Sequence, residues 1–333
     1  MHKYIIKRLL YSLIIFFFVM LVIYVILRCL PTSYLENVAR QMSQRPGSKT
    51  YKEWLTQLEA QYGMDKGYLA GYIGWLKNFF TGNFGDSWFY TVPVIDKFND
   101  TVWLSFVMGL IVFFFEIIIA IPLGVLAATK QYSITDYTVS VLALAGISLP
   151  TFFFASLLKL VFVIVPERYG KHWFDLFGLV GRDYAQLSAW GQFLDKANHL
   201  VLPIVTLVVL SIGGLMRYTR TNMLEVMNSD YIRTARAKGL DEHSVIYKHA
   251  FRNTLIPVVT ILGGSLPGLF SGALITETLY AIPGIGYTSY QAMVGGDIPF
   301  SMFYLGFISI LTLLGNLIAD LLYAAVDPRV RLA

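Results

Sequence analysis

Five histidines and one cysteine are the residues of this 333-residue chain best suited to bind a metal or attack a substrate, and their spacing argues against both roles. His2, His172, His199, His243 and His249 are scattered over termini and loops rather than gathered in one apolar segment. Cys29 stands alone, which rules out an internal disulfide framework and offers no zinc set, so it reads as a packing residue. The chain has no G-x-x-x-x-G-K-[ST] loop to cradle nucleotide phosphates, no H-E-x-x-H pair and no G-x-S-x-G elbow. It therefore reads as non-catalytic and without a cofactor of its own, and any energy it uses must come from elsewhere.

Two charged features remain. The first is the polar stretch Asp230 to Pro257, which carries Arg233, Arg236, Lys238, Lys248 and Arg252. Tyr231 to Lys238 reads as a short helix with Ser229 or Asp230 at its N-cap and Gly239 just past its end, where the missing Cβ permits a left-handed turn. Asp241 can cap a second helix, which makes the stretch a cationic knuckle suited to docking. The same cations would also satisfy the inside-positive bias of membrane proteins. His249 within it reads as a packing or hydrogen-bonding residue. The second feature is Glu116, set in FFFEIII. A carboxylate at that depth is expensive and faces the bundle or a wet cavity, or else is a protonated acid bonded to a neighbouring helix.

The elements that must position these groups follow from composition. With 56% hydrophobic, 15% aromatic and only 14% charged residues, this is an all-α polytopic membrane protein, not a soluble domain at about 25% charged. In that setting a net charge of +5 belongs on inner loops and does not point to nucleic acid. Lys3, Lys7 and Arg8 precede an apolar run from Leu9 to Leu27 that is too long for a signal peptide, so residues 1–30 form the cytoplasmic amino terminus and span one, with Pro31 outside. Residues 31–100 form an external segment. Within it Trp54, Leu55, Leu58 and Tyr62, and then Tyr72, Trp75, Leu76 and Phe79, recur at helical spacing. Such aromatic helices lie on the membrane interface, the alternative being a contact surface for an external partner.

Residues 101–333 hold five more spans. Span two runs over Thr101 to Thr129, with Pro122 and Gly124 bending its inner end. Span three runs over Tyr137 to Val165, kinked at Pro150. Span four covers His199 to Met216, and the inner loop 217–254 follows, opened by Arg217 and Arg220. Span five, Leu255 to Leu279, presents Gly264, Gly268 and Gly272 at a spacing that lets helix backbones approach closely, against a second membrane subunit, a pore wall or this chain itself. Span six, Met302 to Val326, ends at Asp327-Pro328, with Arg329 and Arg331 inside. Both termini are then cytoplasmic. Glu116, Pro150, Gly264, Gly268, Gly272 and Glu277 are the candidates for a translocation path or for helix packing.

The stretch Arg233-Thr234-Ala235, then Gly239, then His249-Ala250-Phe251-Arg252 resembles the cytoplasmic EAA loop of ABC-type importer permeases in its peptide-permease form. Asn83-Phe84-Gly85-Asp86-Ser87, Ile121-Pro122-Leu123-Gly124, Glu277-Thr278-Leu279 with Pro283-Gly284-Ile285-Gly286, and Asp327-Pro328-Arg329 are similar to the same oligopeptide, dipeptide and nickel branch, in its first-permease (B-type) line.

The resemblance implies the type I importer fold with six spans and a place in the cytoplasmic (inner) membrane. It implies half of a peptide translocation path, a second homologous permease forming a heterodimer, two ATPases carrying ATP and Mg, and an extracytoplasmic peptide-binding protein. It points to Arg233, Thr234, Ala235, Arg236, Ala237, Lys238, Gly239, Asp241, His249 and Arg252 for ATPase coupling, with the small Thr234 and Ala235 letting the helix seat deeply in its partner. Nickel or another small solute stays open as cargo. A secondary transporter or channel would instead need ionisable groups near the midplane and paired broken helices, for which Glu116 alone gives thin support.

Overall fold

The computed structural model describes residues 2–30, 34–45, 47–175 and 177–326. Pro31, the terminal Asp327-Pro328-Arg329 and Arg331 lie outside the described residues. Among the described residues there is no strand ladder, only helices and one isolated bridge between Asp86 and Pro93.

The centre of the bundle is a pair of long helices, α5 (Val94–Thr129) and α9 (Ala189–Met227). They meet closely because Gly124 has no side chain: a Cβ there would collide with the Met216 carbonyl and with Thr219. α5 continues as one helix through Pro122. α6 (Ile134–Ser148) crosses α9 in the same way at Gly213, where a Cβ would strike Ala143 and Ile147. α9 has 39 residues, about 58 Å at ~1.5 Å per residue, nearly twice the ~30 Å of a hydrocarbon core. Span four is therefore longer than the sequence indicates, and Arg217 and Arg220 ride on α9 rather than opening a loop.

Outside this pair, α1 (His2–Cys29) packs on α16 (Ile298–Val326), with Met20 fully buried and Arg8 paired to Asp320 at 2.7 Å. α1, α5, α9 and α16 are each long and apolar enough to cross a bilayer.

The other two expected spans are broken. Pro150 does not kink a continuous helix: it is the N-cap of α7 (Thr151–Lys159), and the chain turns there by 102°. α7 continues through a π-helical turn, Leu160–Ile164, into α8 (Val165–Arg168). Span five divides into α12 (Phe251–Gly264), α13 (Leu266–Phe270) and α14 (Leu274–Tyr280). Gly264, Gly268 and Gly272 consequently share no single helix face. Gly264 and Gly268 look onto open space, while Gly272 (φ +74°) turns the chain against Gly286. The close approach to α16 is made instead by Gly263 beside Leu322 and by Pro267 on Gly315.

The segment before α5 folds onto the bundle. α2 (Tyr34–Ser43) and α3 (Tyr51–Gln61), the latter opened by a Thr50/Glu53 capping box, bury Leu35, Ala39 and Leu58 against Trp88. α4 (Tyr68–Phe80) runs antiparallel to α1. Tyr68 lies by Cys29 (3.9 Å), the Tyr72 hydroxyl donates to the Phe17 carbonyl (2.5 Å), and Phe80 meets the Phe17 ring. The aromatic face assigned to the membrane interface is thus used within the chain.

Candidate functional site

The knuckle is formed as its local sequence dictates. α10 (Asp230–Ala237) ends in a Schellman turn: Gly239 takes φ +79°, its N–H donates to Arg236 O (3.0 Å), and the Leu240 N–H donates back to Ala235 O (3.4 Å). Asp241 then accepts the Ser244 N–H (2.9 Å) as N-cap of α11 (Glu242–Ser244), which leads through the π-helical turn Val245–Ala250 into α12. Ser229 holds the N-cap position of α10, but its hydroxyl donates back to Val226 O (2.5 Å).

Across the elbow Arg236 forks onto Glu242, with Nε–Oε2 at 3.2 Å and NH2–Oε1 at 2.7 Å. The hydrogen bonds and charge of Arg236 hold the Glu242 carboxyl below its usual range. Hydrogen bonds from Ser244 do the same for Asp241. Both side chains of the Arg236–Glu242 pair are exposed, so it contributes about 0.2–1 kcal/mol and mainly sets the elbow angle. Arg236 therefore already has a carboxylate within the chain. Arg233 lies 3.7 Å from Asp230.

One face of the knuckle is fixed to the bundle. Ile232 (0% exposed), Ala235 (7%), Val245 and Ala250 pack with Val125 and Ala128 of α5 and with Met223 of α9. Burying Ile232 alone stabilises the contact by about 1.5–3 kcal/mol. Ala235 thus faces inward and serves the chain's own core, not a partner's groove. The opposite face is free: Arg233, Thr234, Arg236, Ala237, Lys238, Gly239, Asp241 and Arg252 are exposed. Tyr231, Leu240 and Tyr247 join them as exposed apolar groups that the charge pattern did not single out. His249 is half-buried, and its carbonyl accepts from the Asn253 amide (2.7 Å).

A second candidate lies along the bundle. Glu116 borders two cavities of about 260 and 270 Å³ between α5, α9 and the α12–α13 region. Ser211 lines the first of these cavities with it, its hydroxyl donating to Val208 O (3.1 Å). Glu277 is of a different kind. It is fully buried, accepting the Ser105 hydroxyl (2.7 Å), the Ala273 N–H (3.0 Å) and the Tyr287 N–H (2.7 Å), while Ser105 Oγ also takes the Ile285 N–H (2.8 Å). It ties the hairpin formed by α14 and α15 (Ile285–Val294) to α5 and also lines the first of the two cavities that Glu116 borders. Gly284 and Gly286 leave room for its carboxylate.

Three further charged arrangements were not visible in the sequence. Arg220 pairs bidentately with the buried Asp136 at the start of α6. Lys159 is buried on α7, donates to Leu279 O and lies over the rings of Phe177 (4.3 Å) and Tyr280 (4.5 Å). Such a cation suits the carbonyl end of α14. Asp175, Asp195 and His199 come within 4.8 Å of one another, although the histidines looked scattered. Their polar atoms are used locally: His199 Nδ1–H donates to Asp195 O (2.8 Å) and the Gly181 N–H donates to the Asp195 carboxylate (2.8 Å), lacing the loop after α8 to α9.

Comparison with known proteins follows this geometry. Residues 120–332 match the family described as binding-protein-dependent transport system inner membrane component. The oligopeptide transport system permease protein AppB of Bacillus subtilis is 33% identical over 99% of this chain and 99% of its own length. The dipeptide transport system permease protein DppB of Escherichia coli K12 is 35% identical over 83% of this chain and 84% of its own. The oligopeptide transport system permease protein OppB of Haemophilus influenzae is 30% identical over 99% of this chain and 100% of its own.

Proposed function

The chain belongs to the binding-protein-dependent transport system inner membrane components, and from that premise we propose that it is the membrane subunit of an ATP-driven importer of peptides. It is a multi-pass α-helical membrane protein. Oligopeptide and dipeptide permeases that it matches along most of its length support peptides as the cargo. In this reading it forms half of a translocation path with a second, homologous permease, receives peptide from an extracytoplasmic binding protein, and carries no catalytic residue. Two ATPases bind ATP and Mg and supply the work. Both chain termini face the cytoplasm.

The ATPase grips the knuckle between α10 and α12. The observation that carries this is the two-sidedness of that element: Ile232 and Ala235 are sunk among Val125, Ala128 and Met223, while Tyr231, Arg233, Lys238, Leu240 and Tyr247 are offered outward. A rigid helix pair fixed to the ends of α5 and α9 passes a displacement to them with little loss.

Two substitutions test it. Gly239→Asn keeps a residue that tolerates the left-handed turn, and Gly239→Arg puts a long side chain on the exposed elbow. The asparagine variant retains the ATPase in pull-down and imports peptide. The arginine variant inserts normally but loses the ATPase and import. Wild-type uptake by the arginine variant would remove the knuckle from the coupling path.

A further inference from the structure

Glu116 stands where a carboxylate is hardest to keep. It lies about 20 Å from the Thr129 end of α5 at ~1.5 Å per residue, well inside a hydrocarbon core of ~30 Å. Among the described residues no lysine, arginine or histidine forms an ion pair with it. Ser211 lines the same cavity, and its hydroxyl donates to Val208 O (3.1 Å). An ionised carboxylate accepts at about four lone-pair positions, so most of its capacity is unused.

Its position is defined by the two cavities it borders. The outer one extends from Ser105 and Gly272 down to Glu116, and the inner one from Glu116 to Gly214 and Tyr218. Glu116 and Ser265 belong to both walls. Phe113 is shared as well, so the two cavities lie side by side with the carboxylate on the wall between them, and a path along this face of the bundle would pass it. Gly268 on the facing wall has open space where a side chain would be. The Ser265 hydroxyl donates to Ile261 O (3.0 Å), which leaves its lone pairs available. Beside that wall a path therefore meets acceptors: the Glu116 carboxylate with the Ser211 and Ser265 oxygens.

We propose that Glu116, with Ser211 and Ser265, is a specificity-determining subsite for the primary ammonium group of the cargo as it passes along this chain's half of the path. This rests on the peptide-importer reading above. An ammonium has three donors and no acceptor, which complements a carboxylate flanked by two hydroxyl oxygens. A free peptide carries such a group at its amino terminus whatever its sequence, and lysine carries a second. One carboxylate in an open groove holds a cation long enough to orient it and weakly enough to release it.

The test uses the whole transporter reconstituted in proteoliposomes with its second membrane chain, ATPases and receptor, importing trialanine at saturating receptor. Glu116→Gln is expected to slow import by about tenfold, the worth of one moderate charge-assisted contact, with assembly and receptor affinity for the peptide unchanged. Glu116→Asp restores most of the rate. Two photoreactive tripeptides, labelled beside the amino or the carboxyl terminus, locate the contact. Amino-terminal labelling concentrated on Phe113, Ser211 or Ser265, and lost in Glu116→Gln, supports the subsite. A lysine-containing peptide with an acetylated amino terminus separates the two ammonium sources, and rescue of its import by the side chain extends the subsite to lysine.

Import by Glu116→Gln at the wild-type rate overturns the proposal, and so does equal labelling by both probes. Loss of import only because the two membrane chains no longer assemble also overturns it, since Glu116 would then pair with the partner chain. All three results leave the importer reading intact. That reading fails separately, if trialanine import does not require this chain at all.

Discussion

Arg220 on α9 forks onto Asp136 at the first turn of α6, with Nε–Oδ1 at 2.7 Å and NH2–Oδ2 at 2.8 Å. Asp136 also accepts the Tyr132 N–H (3.0 Å) and the Ser140 hydroxyl (3.3 Å), so one carboxylate gathers the turn between α5 and α6 and fastens it to α9. The residues are 84 positions apart, and their meeting depends on the crossing of α6 over α9 at Gly213.

Asp136→Asn keeps the side-chain shape but loses the two-pronged acceptor, and is expected to destabilise the chain by about 1.5–3 kcal/mol. Arg220→Gln has a similar effect. The double variant is less destabilised than the sum of the two, because neither partner is left charged and alone. Thermal unfolding of the four proteins in detergent checks this, and strict additivity would mean that the pair is not coupled.

Glu277→Ala deprives the Ser105 hydroxyl and the Ala273 and Tyr287 N–H groups of their acceptor in a buried place. At about 1–3 kcal/mol for each unsatisfied group, the loss reaches at least about 3 kcal/mol. Limited proteolysis should find the 281–287 segment cut much faster in the variant. Unaltered cleavage would show the hairpin to be held by its apolar contacts alone.

The elbow has a definite pH dependence. Asp241 and Glu242 are held below their ordinary values of 3.8 and 4.5 by the hydrogen bonds of Ser244 and Arg236 respectively. For a depressed acid the contribution to stability is complete above the unfolded value and disappears as pH falls through the folded one. Amide protection of Ser244 and Val245, corrected for intrinsic exchange, is therefore expected to stay level from about pH 7 to about pH 5 and to drop only below about pH 4. A drop already complete above about pH 5 would show that neither carboxylate controls the elbow.

What could be read in the sequence was local. Gly239 and Asp241 act through turns closed within a few residues, so their roles follow from residue type and spacing. Pro150 was legible as an interruption, but whether a proline bends a helix slightly or separates two depends on where the following segment packs, and α7 turns away by 102°. Ala235 was assigned outward because small residues suit docking. The Ile232 and Ala235 spacing, three apart on one helical face, was the available sign that this face belongs to the core. The Arg220–Asp136 and Ser105–Glu277 bonds span 84 and 172 positions, and Lys159 reaches Leu279 across 120. No periodicity announces such pairs. Glu116 was visible by its cost alone, and the groove it borders exists only once α5, α9 and α12 are assembled.

α5 joins two places described separately. Near one end Ser105 is bonded to the buried Glu277 of the α14–α15 hairpin, and near the other Val125 and Ala128 pack against Ile232 and Ala235. About 35 Å of helix lies between them at ~1.5 Å per residue, interrupted in its hydrogen bonding only at Pro122. It is a continuous rod anchored at both ends. In the importer proposed above, a thrust that the ATPase delivers to the knuckle would reach the far end of α5 as a tilt, so that opening one vestibule and shutting the other would be a single stroke, with Pro122 as its one point of give.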